Sequence, residues 1–339
     1  MSGALPAGLG ATGALAGLSG AQPPPRPLSQ CVVMVTPRSF GMHDPGLRLR
    51  LEAEVGVVRY RPGPLAAADL ADAIGDVDGL LCGLDHVTAD VFAVAPRLRV
   101  VARYGVGVDR VDLAAAARHG VTVTATPGAN ANAVAEMTIA LLFALARPVV
   151  AGRERARAGE WPALSGVELA GRALGLVGLG RIGTMVAAKA AALGMRVLAY
   201  DPYVTGADNV SLVDLDALVA GSDFVSLHAP LTDETQGMVG RPFLERMKPG
   251  AALINTARGG LVDEDSLLWA LDEGPVRAVA LDVLAHEPPP PGHPFLKRDD
   301  VLLTPHMGPH TAEATVAMGE RALADLLAVL SGTPPRYPV

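Results

Sequence analysis

The sequence predicts an α/β protein made of two doubly wound parallel sheets, and three observations carry that reading. Short apolar runs alternate with helix-period segments along the chain, the pattern of parallel strands covered by helices. The chain has 339 residues, comfortable for two domains at roughly 100–200 residues each. Half of those residues are hydrophobic, enough for a sizeable core.

The first series opens after Pro23-Pro24-Pro25. Cys31 to Val35 is a β-branched run stopped by Thr36-Pro37, the mark of a buried strand. Ala66 to Ile74 has a helical pattern. Gly79 to Cys82 is a second strand, stopped by Gly83; Leu98 to Arg103 is a third and Val121 to Val123 a fourth. Val111 to Arg118 reads as a helix between the last two. Residues 129–149 read as one long helix, and a Gly- and Arg-rich stretch follows through Trp161-Pro162.

The second series begins at Ala173. Its strands are Ala173–Val177, Arg196–Tyr200, Phe224–His228, Ala251–Asn255, Val276–Val283 and Val301–Thr304. A spacing of roughly 20–30 residues suits a doubly wound sheet better than a repeat array. The last helix, Thr311 to Leu330, stops at Gly332 before Pro334-Pro335. The second unit is therefore inserted between parts of the first. The domains expected are 29–126 with 307–339, and 127–306, preceded by a flexible extension over 1–28.

Composition excludes several classes. The net charge of −7 argues against general nucleic-acid binding. Aromatics are only 4%, so the core is aliphatic and Ala-rich. Cys31 and Cys82 are too few for a disulfide framework or a Cys-based zinc cluster, and their apolar settings suggest buried, inert thiols. The most apolar run, Met137 to Ala146, is far short of the ~20 residues of a membrane span. The first 25 residues carry no charge, and five glycines interrupt any signal-peptide core. A soluble, cytoplasmic protein is expected, with no metal site.

Gly175 to Gly183 contains Gly178-x-Gly180-x-x-Gly183 between an apolar strand and a helix. Gly178 permits the tight turn, Gly180 lets the backbone approach a pyrophosphate, and Gly183 lets the helix lie close to the strand. The helix start offers free N–H groups and the positive end of its dipole. Asp201, 23 residues after Gly178, ends the next strand. An acid there accepts from a ribose 2′-hydroxyl and repels a 2′-phosphate, which favours NAD over NADP. Arg181 suits a phosphate neighbour or an ordinary exposed helix position equally well.

Three further motifs stand at strand ends: Asn255 to Gly260, Leu281-Asp282-Val283 with Glu287-Pro288, and Thr304-Pro305-His306. Ligands of open α/β sheets bind outside the carboxyl ends of strands. An Arg, a Glu and a His there suit oxidation of an α-hydroxy acid. His306 takes the hydroxyl proton. Glu287 fixes its tautomer and favours the imidazolium. Arg258 grips a carboxylate through paired hydrogen bonds. Each alone has a plain structural reading; the joint placement beside the cradle is what points to chemistry.

With these motifs, and with Tyr104 to Asp109 and Ala133 to Thr138, the chain from about residue 30 onward resembles the D-isomer-specific 2-hydroxyacid dehydrogenases. Within them it looks most like the D-3-phosphoglycerate dehydrogenases. The resemblance implies a flavodoxin-like substrate domain and a Rossmann NAD domain with a cleft between them. It implies that His306 is the acid–base, Glu287 its support and Arg258 a substrate ligand, and that Asp282 holds the nicotinamide amide. The cofactor set it suggests is Gly178, Gly180, Arg181, Ile182, Gly183, Asp201, Pro230, Thr256, Ala257, Asp282 and His306. The substrate set is Arg38, Tyr104, Gly105, Val106, Gly107 and Arg258, with the Val106–Gly107 backbone against the carboxylate and Arg38 toward a phosphate or phosphonate. A homodimer built on the long helix and the arm around Trp161 is also implied.

Two departures stand out. Phosphoglycerate dehydrogenases often carry Arg-Ser where this chain has Gly83-Leu84-Asp85, which removes a phosphate contact and adds an acid. Ala125 precedes Thr126-Pro127 where Asn is common. The expected activity is thus NAD-dependent oxidation of a small D-2-hydroxy acid, phosphorylated in the manner of 3-phosphoglycerate or not. The alternatives are a phosphonate or phosphite dehydrogenase and, from another class, an NAD(H)-sensing binding protein.

Overall fold

The computed structural model describes residues 25–339, so the extension expected over residues 1–28 lies, up to residue 24, outside the described residues. The chain forms two compact units: the part up to Asn130 together with Ala312–Val339, and Ala131–Thr311.

The first unit holds five parallel strands: β1 Val32–Val35, β2 Val57–Tyr60, β3 Gly79–Cys82, β4 Val100–Arg103 and β5 Thr122–Thr124. Their order is β2-β1-β3-β4-β5. Every residue of β1, β3 and β4 is buried, because helices cover both faces of the sheet. Side chains alternate between two cores. Val33, Val35, Leu81, Val100 and Ala102 meet Leu47 and Leu51 and the last helix, Ala312–Leu330, through Met318, Leu323, Leu326 and Leu330. Val32, Met34, Leu80 and Val101 meet Leu70, Ile74, Phe92 and Ala115 on the other face. The edge strand β2 is mostly exposed, which is why no apolar run announces it.

The second unit holds seven parallel strands. They are β6 Ala173–Val177, β7 Arg196–Tyr200, β8 Ser211–Leu212, β9 Phe224–Leu227, β10 Ala251–Asn255, β11 Val276–Leu281 and β12 Val301–Leu303. The order is β12-β11-β10-β9-β6-β7-β8, so chain direction across the sheet reverses between β6 and β9. Leu174, Leu176, Ala252 and Ile254 pack under the helices Ala131–Ala146 and Arg181–Ala192. Val177, Val225, Leu253 and Val279 face Leu218, Phe243 and Leu267 on the opposite side.

One expectation is corrected. The helical pattern over 129–149 is two helices, Ala131–Ala146 and Val149–Arg157, meeting at a 64° bend. Pro148 sits between them; its ring clashes with a continuing helix and biases Arg147 out of helical geometry. The Gly- and Arg-rich stretch thus starts as a helix, none of whose residues is buried. No single described helix is long and apolar enough to cross a membrane. Cys31 and Cys82 are free and buried, and burial pushes the Cys82 thiol up to about 12.

Candidate active site

The switch between β6 and β9 creates the crevice in which doubly wound sheets bind ligands. β6 leads into Gly178, whose φ of +99° lies in the region that favours glycine. A Cβ there would stand 2.7 Å from the His228 carbonyl carbon, and one on Gly183 would stand 2.3 Å from the Gly178 oxygen. Gly180, the N-cap of Arg181–Ala192, has nothing within 4 Å of its Cβ position. Two glycines are therefore demanded by packing. The third opens onto space at a helix N-terminus, whose N–H groups would receive a diphosphate. Arg181 is exposed and Ile182 half-buried beside it.

Asp201 follows β7 and is bonded to the cradle itself. Its Oδ2 accepts from the Leu179 N–H at 2.8 Å and its Oδ1 from the Tyr203 N–H at 2.9 Å. A carboxylate has further lone pairs for ribose hydroxyls. Across the crevice, β9 leads into His228, Ala229 and the exposed Pro230. Burial pushes the His228 imidazole down to about 4, so it is neutral, and its Nε2 lies 3.0 Å from Ser226 Oγ. The open glycine, the helix start and the acid together fit a dinucleotide.

Three strand ends of the same unit build the second half of the site. Asn255 closes β10 and shapes the turn after it: its Nδ2 donates to the Arg258 carbonyl at 2.8 Å and its Oδ1 accepts from the Ala257 N–H at 3.0 Å. Thr256 Oγ1 lies 2.9 Å from Thr138 Oγ1. Arg258 is half-buried and donates from Nη1 to the Ala257 carbonyl. A Cβ on Gly259 would overlap the Leu284 carbonyl carbon at 1.9 Å, so only glycine lets this turn touch the loop after β11.

Asp282 follows β11 and is buried. Its Oδ1 accepts from Thr304 Oγ1 at 2.6 Å and from the Met307 N–H at 2.9 Å; its Oδ2 accepts from the Gly308 N–H at 2.8 Å. That carboxylate therefore organises the loop carrying His306. His306 itself has φ +51°, uncommon for a residue with a side chain, and its N–H donates to the Asp282 and Thr304 carbonyls. Its Nδ1 stands 2.8 Å from Glu287 Oε2, while Glu287 Oε1 accepts from the Leu284 N–H at 3.0 Å. An ionised carboxylate only accepts, so Nδ1 of the neutral ring carries the proton and Nε2 keeps its lone pair. Glu264, not singled out in the sequence, accepts from the Ala285 N–H and lies 3.1 Å from His293 Nε2. It braces the same loop; its place one residue into the helix Glu264–Asp272 carries no signal of that role.

The remaining predicted residues belong to the first unit. Tyr104 is buried; its hydroxyl donates to the Thr315 carbonyl at 2.7 Å and its ring meets Phe40 edge-on. Any ligand contact by Tyr104 is left to its backbone. Gly105 has φ +154° and lies over the Arg103 guanidinium. Val106 is exposed, Gly107 half-buried, and Arg38 exposed after β1.

Residues 139–308 match the profile of the D-isomer specific 2-hydroxyacid dehydrogenase, NAD binding domain. The glyoxylate reductase of Thermofilum pendens is 41% identical over 305 residues, covering 86% of this chain and 90% of that protein. The D-3-phosphoglycerate dehydrogenase of Archaeoglobus fulgidus is 42% identical over 259 residues, 75% of this chain and 49% of that one. This chain thus matches about half the length of that relative. Among solved structures, the TT0316 protein from Thermus thermophilus aligns with a TM-score of 0.82 at 42% identity, covering 91% of this chain and 99% of that one.

Proposed function

Because the chain belongs to the D-isomer specific 2-hydroxyacid dehydrogenase family and is an NAD-dependent oxidoreductase of that kind, we propose that it interconverts a small D-2-hydroxy acid and its 2-oxo acid. The observation that carries the reading is the 2.8 Å contact between His306 Nδ1 and Glu287 Oε2, on the unit that holds the glycine cradle.

When bound, NAD accepts the hydride from the hydroxyl-bearing carbon or returns it. His306 Nε2 takes the hydroxyl proton in oxidation and gives it back in reduction. Glu287 holds the ring orientation and stabilises the imidazolium that forms. Arg258 binds the substrate carboxylate and polarises the reacting oxygen. Gly180 and the start of Arg181–Ala192 receive the diphosphate, with Asp201 toward the ribose. The backbone of Tyr104 to Gly107 is assigned to the substrate carboxylate by family resemblance.

A homodimer is part of the proposal. Val149, Val150, Trp161 and Leu164 place apolar side chains on the surface, with Trp161 92% exposed, and such patches mark partner surfaces. Light scattering of the purified chain reads the mass directly. For the activity, the test is loss of NADH absorbance with glyoxylate, pyruvate and hydroxypyruvate. Protein that binds NADH yet oxidises it with none of them overturns the reading.

A further inference from the structure

The loop that carries Glu287 has little packing of its own. Between Ala285 and Gly292 every residue is exposed except half-buried Glu287 and Pro289, and Pro288 to Pro291 have no N–H to donate. Yet Glu287 must stay 2.8 Å from His306 Nδ1, and a drift of about 1 Å in a catalytic arrangement can cost about 100-fold in rate. Glu264, the first residue of the helix Glu264–Asp272, reaches both ends of that loop. Its Oε1 accepts from the Ala285 N–H at 3.1 Å, and its Oε2 lies 3.1 Å from His293 Nε2. His293 Nδ1 accepts from the Phe295 N–H at 3.3 Å and caps the short turn Pro294–Lys297, and Phe295 is 1% exposed in the core of this unit. An acceptor at Nδ1 puts the proton of the neutral ring on Nε2, which donates it to Glu264. Both nitrogens of His293 are therefore committed, in the tautomer opposite to that of His306. The ring is a strut between a core anchor and Glu264.

We propose that Glu264 and His293 are positioning residues for the acid–base pair: they clamp both ends of the loop and so hold Glu287 against His306 Nδ1. The proposal rests on the dehydrogenase reading above and adds two residues to its site. Glu264, His293, Glu287 and His306 all belong to the unit Ala131–Thr311, so the clamp is complete within one unit.

Two substitutions at His293 separate this role from plain capping of the turn. His293→Gln keeps a donor near the Nε2 position for Glu264 and loses the acceptor at Nδ1. His293→Asn keeps an acceptor near the Nδ1 position for the Phe295 N–H and loses the donor to Glu264. With NADH and glyoxylate or hydroxypyruvate, the Asn variant is expected to lower kcat about tenfold, and the Gln variant to stay within about threefold of the parent. Glu264→Gln cannot accept at both ends of the loop and should match the Asn variant. NADH affinity should hold within about twofold in all three, since the glycine cradle is untouched. In a Glu287→Ala background, His293→Asn should cost less than about twofold, because the side chain it positions is gone. One readout needs no turnover. The His306 Nδ1 proton, protected by its bond to Glu287, should give a downfield proton NMR line, assigned by its loss in His306→Gln, and the line should broaden away in His293→Asn. Activity kept in the Asn variant but lost in the Gln variant overturns the proposal. So does an undiminished effect of His293→Asn in the Glu287→Ala background. If the parent turns over no acid, the dehydrogenase reading falls and the NMR line decides alone: a line missing from the parent, or unchanged in His293→Asn, overturns the proposal.

Discussion

Glu287 divides its carboxylate between two partners: Oε2 stands 2.8 Å from His306 Nδ1, and Oε1 holds the Leu284 N–H of its own loop. The support of the imidazole and the shape of the loop are therefore one feature. Asp282 does the same from the other side, tying Thr304, Met307 and Gly308 around a histidine at φ +51°. Half-buried Glu287 holds the ring, and buried Asp282 holds the loop that carries it.

His306→Gln is expected to lower kcat by about 10²–10⁴-fold, the usual worth of a positioned acid–base group. NADH affinity, read by fluorescence, should stay within about threefold, because the cradle is untouched. Glu287→Gln should cost less, about 10–100-fold, since the amide oxygen still accepts from Nδ1 but no longer stabilises an imidazolium. Full activity in His306→Gln refutes the assignment.

The cradle glycines should separate. Gly180→Ala adds a methyl to open space, so thermal stability should change by no more than about 0.5 kcal/mol, while NADH affinity falls at least about tenfold. Gly183→Ala drives a carbon to 2.3 Å from the Gly178 oxygen and should destabilise the fold by about 1–3 kcal/mol as well as weaken binding. Urea unfolding alongside NADH titration distinguishes the two.

Asp201→Ala should raise the NADPH-to-NADH ratio of kcat/KM at least about tenfold, by removing the charge that repels a 2′-phosphate. The same change strips an acceptor from the Leu179 and Tyr203 N–H groups, with a stability loss of about 1 kcal/mol. An unchanged ratio means another residue sets the preference.

His228 gives a pH prediction. Its folded value of about 4 lies below the ordinary 6.5, so between those values the unfolded chain binds a proton that the folded chain refuses. Stability therefore falls as pH drops from 6.5 toward 4, by about 2–3 kcal/mol from this group alone. His228→Gln should lack that component. Urea midpoints at about pH 7 and about pH 4.5 for parent and variant check it; equal acid sensitivity refutes it.

The buried strands were legible because both faces of each sheet are covered, which turns β1, β3 and β6 into unbroken apolar runs and leaves β9 and β10 with one polar residue each. The edge strands β2 and β8 were not, since exposed strands need no hydrophobic pattern. The helix Gly46–Glu54 escaped for a similar reason: only Leu47 and Leu51 are buried in it. In the site, His306 and Glu287 announce themselves by type at strand ends. Glu264 does not, because its partners, the Ala285 N–H and the His293 imidazole, reach it from the loop after β11, some twenty to thirty residues along the chain.

The interrupted first unit sets an order of events during synthesis. Its β1–β5 sheet emerges early, but one face is covered by Met318, Leu323, Leu326 and Leu330, which leave the ribosome only after the whole of residues 131–311. At usual elongation rates the delay is on the order of ten seconds or more. The uninterrupted unit has all its parts by then and completes first. The nascent chain carries one apolar face of that sheet without its last helix through that interval, a natural point of engagement for chaperones.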